Sequence, residues 1–190
     1  MSDLNDSKKL ANFKIDFINH AKKSELYKNI IETNGNIVFG KGSDSPKIVF
    51  IGEAPGNNEN KIGLPFIGRS GKLLDNWIKH MGLNDQDYSV INVVPIIPLK
   101  DGLIRAPTEN EINYFLPFTK KYLELLNPKI IVLLGRSAAS IFDKTLSVGQ
   151  MKDYENRKII FIYHPSFYLR RGQNGLEDAN KLKLILDSLK

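Results

Sequence analysis

Four short runs of this chain are apolar almost without interruption: residues 47–52 (KIVFIG), 88–94 (YSVINVV), 129–135 (KIIVLLG) and 158–163 (KIIFIY). A half-exposed strand alternates apolar and polar positions. Unbroken runs rich in Val and Ile predict strands covered on both faces, as in a parallel sheet. Helical spacing fills the gaps between them. Leu73, Leu74, Trp77 and Ile78 place a helix over 69–81. Thr108 and Glu111 stand at capping-box spacing ahead of a helix over 108–126, which Pro128 closes. A shorter helix is expected over 137–142, and Leu182, Ile185, Leu186 and Leu189 set a last one over about 177–189. Before the first strand, Leu10, Phe13, Phe17 and Ala21, then Leu26, Ile30 and Ile31, read as helix over 8–33, ended by Gly35 and Asn36. Val38 and Phe39 are candidates for a small extra strand. Strand alternating with helix predicts a three-layer α/β/α domain around a central four-stranded parallel sheet with right-handed crossovers.

Such a fold carries its function at the carboxyl ends of the strands. Four segments fall there: 52–56 (GEAPG), the stretch from Asn92, 135–140 (GRSAAS) and 163–167 (YHPSF). In the first, glycines let the backbone approach a ligand and Glu53 stands at the mouth, unless it is the surface Glu of a plain turn. In 66–71 (FIGRSG) the chain enters a helix, whose first N–H groups favour anions. Phe66 is either a stacking face or core. Asn92 interrupts an apolar strand end, so its amide must be satisfied by backbone or by the edge of a nucleobase. His164 ends a strand before Pro165, which is expected to fix a non-helical turn. It can donate to a leaving group or oxyanion, or be a core-edge His bonded to backbone. His20 and His80 fall on polar helical faces and are expected to be solvated. Arg170 and Arg171 suit phosphate.

Composition narrows the chemistry. The chain has 190 residues, 42% hydrophobic and 25% charged, the profile of a globular domain. It has no cysteine, which excludes disulfides, thiol nucleophiles, thiolate zinc sites and cysteine-held iron–sulfur clusters. Three scattered histidines give no basis for a zinc site either. The sequence lacks GxSxG, GxGxxG and the Walker spacing. Lys and Arg number 27 against 21 Asp and Glu, a net +6 that suits a polyanionic partner without proving one. No apolar run approaches the ~20 residues of a membrane span, and the polar start MSDLNDSKK holds no signal-peptide core. A soluble, intracellular, cytoplasmic protein with no membrane partner is expected. Without repeats or a long linker, the expectation is one domain over 1–190, with the helices of 8–33 packed on a core over 36–190.

The ordered set GEAPG, PFIGRSG, INVV, LLG and YHPS resembles the family 4 uracil-DNA glycosylases, from about Val38 to Arg171. The resemblance implies a uracil-DNA glycosylase-like fold. It also implies a base-excision repair enzyme, a monofunctional N-glycosyl hydrolase that releases uracil from DNA and leaves an abasic site. By the same resemblance, Glu53 would position the hydrolytic water and His164 would hydrogen-bond the uracil O2, these two being the catalytic pair. Phe66 would stack on the everted base, Asn92 would read its edge, Glu59 would crowd its C5 side, and Ala54 would complete the base site. Gly68, Arg69, Ser70, Ser166, Arg170 and Arg171 would contact the DNA backbone, and Leu169 would lie in a loop that wedges into the duplex. Uracil-containing DNA is the implied partner and a monomer the implied state. The covalently trapping relatives carry an Arg-rich insertion ahead of the last motif; none lies between Gly135 and His164.

One departure is large. Family 4 members hold a [4Fe–4S] cluster on four cysteines, and the corresponding positions here are Ser24, Tyr27, Ile96 and Phe115. None can serve as a thiolate ligand, so no cofactor is expected. Apolar Ile96 and Phe115 could fill the vacated space, leaving the 95–107 loop held by apolar contact. The alternatives are a non-catalytic DNA-binding member of the superfamily, a glycosylase for another deaminated base such as hypoxanthine, and a nucleotide-binding Rossmann-like enzyme that leaves the ordered motifs unexplained. Purified protein is expected to be colourless and iron-free by metal analysis; a stoichiometric iron–sulfur absorption band would contradict the sequence.

Overall fold

The computed structural model describes residues 2–188, with side chains from residue 8 onward. In chain order the elements are α1 (Ser2–Ala21), α2 (Tyr27–Thr33), β1 (Lys41–Gly42), β2 (Ile48–Gly52), α3 (Asn57–Ile62) and α4 (Arg69–His80). Then come β3 (Tyr88–Asn92), β4 (Leu99–Lys100), β5 (Leu103–Ile104), α5 (Glu109–Leu126), β6 (Ile130–Leu134) and α6 (Arg136–Ser140). The chain closes with β7 (Met151–Tyr154), β8 (Arg157–Ile162), α7 (Pro165–Arg170) and α8 (Leu176–Asp187).

The main sheet has the order β1-β3-β2-β6-β8-β7. Its four central strands, β3, β2, β6 and β8, are parallel, and β1 and β7 extend it antiparallel at the edges. The four apolar runs are therefore the four parallel strands. Their apolar stretches do not alternate with polar residues because both faces of each strand are covered. Val49, Ile51, Ile131, Leu133, Ile159 and Phe161 point into one buried cluster with residues of α1, α2, α5 and α6. Ile48, Phe50, Ile130, Val132, Ile160 and Ile162 point into a second cluster with Leu73, Leu74, Trp77 and Ile78 of α4 and Ala179 and Leu182 of α8. From β2 the chain crosses to β3 on one side, and β6 lies on the other. The carboxyl end of β2 is thus a topological switch point, where open α/β sheets form their crevice. No described helix is long and apolar enough to cross a membrane.

Several expectations need correction. The helix expected over 8–33 is two, because the chain turns at 22–26, where the Ser24 Oγ donates to the Ala21 carbonyl at 2.7 Å. Such side-chain bonding competes with continued helix. The extra edge strand is Lys41–Gly42, two residues beyond Val38 and Phe39. The last helix is Leu176–Asp187, and Leu189 lies outside the described residues. The 95–107 segment is not a simple loop but carries the hairpin β4–β5, turned by Asp101 and Gly102, both at positive φ. That is the geometry of a two-residue Asp-Gly turn.

His20 is not solvated either. Its ring stacks on Tyr114 at 4.1 Å and on Phe118 at 4.2 Å, and its Nε2 meets the Tyr114 carbonyl at 3.0 Å. Phe13 and Phe17 of α1 pack beside Phe118 of α5, so an aromatic layer joins the N-terminal helix to the core. Phe115, 1% exposed, sits in that layer with Ile96. Deleting a fully buried phenylalanine removes both its transfer free energy and its packing. Phe115→Ala should lower the unfolding free energy by about 3–5 kcal/mol in denaturant titration; a loss under about 1 kcal/mol would show that Phe115 does not hold this layer.

Candidate active site

Glu53, Asn92 and His164 stand at or just beyond the carboxyl ends of strands. Glu53 follows β2, whose last residue, Gly52, pairs with Asn92 at the end of β3. A Cβ on Gly52 would lie 2.5 Å from the Phe66 ring and 2.6 Å from the Asn92 Oδ1. Only glycine lets those two side chains close over the strand end. Phe66 is itself held at φ 52, a left-handed conformation rare outside glycine. The Lys41 Nζ donates to its carbonyl at 2.9 Å, and the N–H groups of Ile67 and Gly68 donate to the Glu59 Oε1 at 3.1 and 2.9 Å. Glu59, on α3, thus fixes the turn that presents Phe66 as well as facing the cavity. The sequence reading gave it only the second position.

Glu53, Ala54, Glu59, Phe66, Ser70, Asn92 and His164 line one cavity of about 210 Å³. Four segments remote in sequence meet there. The cavity is completed by Pro98, Ile104 and Arg105, which the sequence reading missed. These come from the hairpin and its flanks, and the Asp101-Gly102 dipeptide between two short segments was the signal that could have shown it. Asn92 is 8% exposed, and its Oδ1 is sealed from solvent with no hydrogen-bond partner among the described residues. Folded proteins rarely leave such an acceptor unpaired, and the described residues supply no donor to it. The Glu53 carboxylate accepts a hydrogen bond from the Ser137 hydroxyl on α6.

His164 caps α7. Its Nδ1 accepts from the Ser166 backbone N–H at 3.2 Å and lies 2.9 Å from the Ser166 Oγ. A backbone N–H can only donate, so Nδ1 is the unprotonated nitrogen, and the neutral ring carries its proton on Nε2. Burial pushes the imidazole down to about 4, Arg170 pushes it the same way, and Glu59 opposes both. The ring is therefore neutral at pH 7, a donor through Nε2 alone. It stands 5.5 Å from the Phe66 ring.

The remaining expected residues lie around this cup. Gly68 and Arg69 form the turn and helix start beside Ser70. Ser166 and Arg170 line an adjoining cavity, and Arg171 stacks on Phe167. Pro165 does not fix a non-helical turn: it opens α7, with extended His164 as its cap, because proline is pre-organised for the first helical position. Leu169 is accordingly on a helix and not a loop, and it is partly buried against the second core cluster.

The positions the resemblance assigns to an iron–sulfur cluster do not fit one. Ile96 and Phe115 are buried in the first apolar cluster, Tyr27 packs against it, and Ser24 is bonded to backbone. No group of three or more metal-ligating side chains occurs among the described residues. Nor is the 95–107 segment held by apolar contact alone. Arg105 makes a two-pronged ion pair with Glu111, the Arg105 N–H donates to the Pro98 carbonyl, and the Asn29 Nδ2 donates to the Ile97 carbonyl at 2.8 Å. Glu111 also closes the capping box with Thr108, and the Arg105 guanidinium holds its carboxyl below the usual range.

Comparison with known proteins places this geometry. A profile of the uracil DNA glycosylase superfamily matches residues 39–190. The chain is 36% identical over 163 residues to a type-4 uracil-DNA glycosylase of Thermotoga maritima, covering 80% of this chain and 83% of that protein. It is 37% identical over 177 residues to one of Archaeoglobus fulgidus, covering 86% and 85%. A third, from Saccharolobus solfataricus, is 33% identical over 190 residues, covering 91% and 85%.

The shift at His164 has a measurable sign. With the folded value near 4 and the ordinary one at 6.5, the unfolded chain binds more protons than the folded one between those limits. The group's contribution to stability is complete above pH 6.5 and declines as pH falls toward 4. In an NMR titration the His164 ring signals should move near pH 4; movement near 6.5 would show that burial does not hold the ring neutral in weak acid.

Proposed function

We propose, because this chain belongs to the uracil DNA glycosylase superfamily, that it hydrolyses the N-glycosidic bond of deoxyuridine in DNA and leaves an abasic site. The observation that supports this most is the one cavity lined by Glu53, Phe66, Asn92 and His164, four side chains brought together from remote parts of the chain. The uracil edge offers an N3–H donor next to the O4 acceptor. The Asn92 carboxamide offers the complement, Oδ1 to accept and Nδ2 to donate. Phe66 stacks on the pyrimidine face, with the turn held by Glu59 fixing the ring's position.

The reaction needs charge separated and then quenched. When the bond between C1′ and N1 breaks, its electron pair leaves with the base. Negative charge spreads to the uracil oxygens and positive charge to the sugar. A neutral His164, donating through Nε2 to O2, favours the leaving anion without protonating it. The Glu53 carboxylate, oriented by Ser137, offsets the sugar's charge and accepts a hydrogen bond from the water that attacks C1′. That water gives up one proton, and the uracil anion later takes one up. Ala54 lines the cup beside Glu53. Extracting the nucleotide from its stack costs about a few kcal/mol. Contacts to phosphate from Gly68, Arg69, Ser70, Ser166, Arg170 and Arg171 offset that cost. The N-terminal helices act with the core as one unit, since they share its first apolar cluster.

Hypoxanthine is a second candidate base, since its N1–H and O6 present the same donor–acceptor pair to Asn92. Competing single-stranded oligonucleotides carrying uracil, hypoxanthine or thymine discriminate between these. Uracil should be released as free base, and thymine should not. Removing one preorganised donor typically costs about 10²–10³ in rate. His164→Ala, Asn92→Ala and Glu53→Ala should each lower uracil release by that order while abasic-DNA binding changes little. Arg170→Ala should instead weaken binding and flatten its salt dependence. Uracil release by all three site variants at the parent rate would overturn the assignment.

A further inference from the structure

Beyond the base cup, the end of β8 and helix α7 build an aromatic stack that the fold does not require. The Tyr163 and Phe167 rings lie 3.8 Å apart and 3° from parallel. The Arg171 guanidinium stands 3.8 Å from the Phe167 centroid. Two groups this close to one ring occupy opposite faces of it, so the order is Arg171, Phe167, Tyr163. Tyr168 is perpendicular to both rings, 6.2 Å from Tyr163 and 5.3 Å from Phe167. Nearly equal distances put it at the edge of the stack and not on the end face. The outer face of Tyr163 is left uncovered by these neighbours, and the residue is 38% exposed.

This stack borders a second cavity, of about 360 Å³, whose other walls include Arg136, Ser137, Ser166 and Arg170. It shares Glu53, Ala54 and His164 with the base cup. The two cavities are therefore neighbours on either side of these residues. An aromatic face beside the Arg170 side chain is the combination that holds single-stranded nucleic acid: every base has a π-face, and every linkage an anionic phosphate.

Resting on the function proposed above, we infer that the Tyr163–Phe167–Arg171 stack receives the nucleobase adjoining the everted one on the same strand, with Arg170 facing the intervening phosphate. The platform gives the neighbouring base a new stacking partner when the target base leaves. It requires no complementary strand.

The test is a double-mutant cycle between protein and ligand. The ligands are single strands carrying 2′-fluoro-deoxyuridine, whose fluorine slows cleavage, with the neighbouring base intact or replaced by an abasic spacer on the 5′ or the 3′ side. The proteins are the parent, Tyr163→Ala and Tyr163→Phe. For the parent, a spacer on one side should weaken binding about tenfold, the scale of one base–aromatic stack. Tyr163→Ala should bind the intact strand about tenfold less well and lose nothing further to the spacer. Tyr163→Phe should behave as the parent. Equal spacer losses in the parent and Tyr163→Ala, or no loss from either spacer in the parent, would overturn the inference. Uracil release by the parent from an ordinary strand separates the two readings. Release with an additive cycle removes only the platform; neither release nor binding removes the proposed function and the platform with it.

Discussion

A hydrogen atom where other residues carry a methyl decides this site. Gly52 ends β2 beside Asn92 of β3, and the space its missing Cβ leaves is where the Phe66 ring and the Asn92 amide meet. Everything in the cup is positioned from that contact. Phe66 reaches it only through a left-handed backbone, which Lys41 and Glu59 hold from opposite sides of the turn. His164 closes the cup from β8, and its proton is assigned by its own role as a helix cap. The order in this cup comes from strand pairing and capping geometry, placed where the parallel sheet already forms a crevice.

Much of this was legible in the sequence because it follows from short-range rules. Strands covered on both faces have unbroken apolar runs, and the four runs marked the four parallel strands. Thr108 and Glu111 announced a capping box that the structure contains. The convergence of Glu53, Asn92 and His164 followed from where those strands end. What escaped depends on packing or on a single dihedral. His20 looks polar on its own helix, and only the arrival of Tyr114 and Phe118 from α5 makes it a stacked ring. Pro165 after His164 fits a turn or a helix start equally well, and the cap to Ser166 decides for the helix. That choice removes Leu169 from the loop the resemblance implied and turns it partly into the core. The Asp101-Gly102 hairpin carried a readable signal, but its place over the cup depends on the Arg105–Glu111 pair.

The same pair bears on how the chain is built without the metal clip its family resemblance implies. A cluster would tie the N-terminal helices, the 95–107 segment and the start of α5 to one point. Here that tie is spread over an aromatic layer, a buried Asn29 bonded to the Ile97 carbonyl, and an ion pair joined to a helix cap. Because Arg105 also lines the base cup, the support and the site are one continuous structure.

The proposed function requires that Asn92 and His164 grip one ligand. The most direct measurement is the NMR signal of the Asn92 side-chain amide and of the His164 ring when the protein binds a single strand containing 2′-fluoro-deoxyuridine. Both should shift with that strand and stay unmoved with the same strand carrying thymidine. A strand that binds through its uracil analogue while both signals hold still would contradict the account.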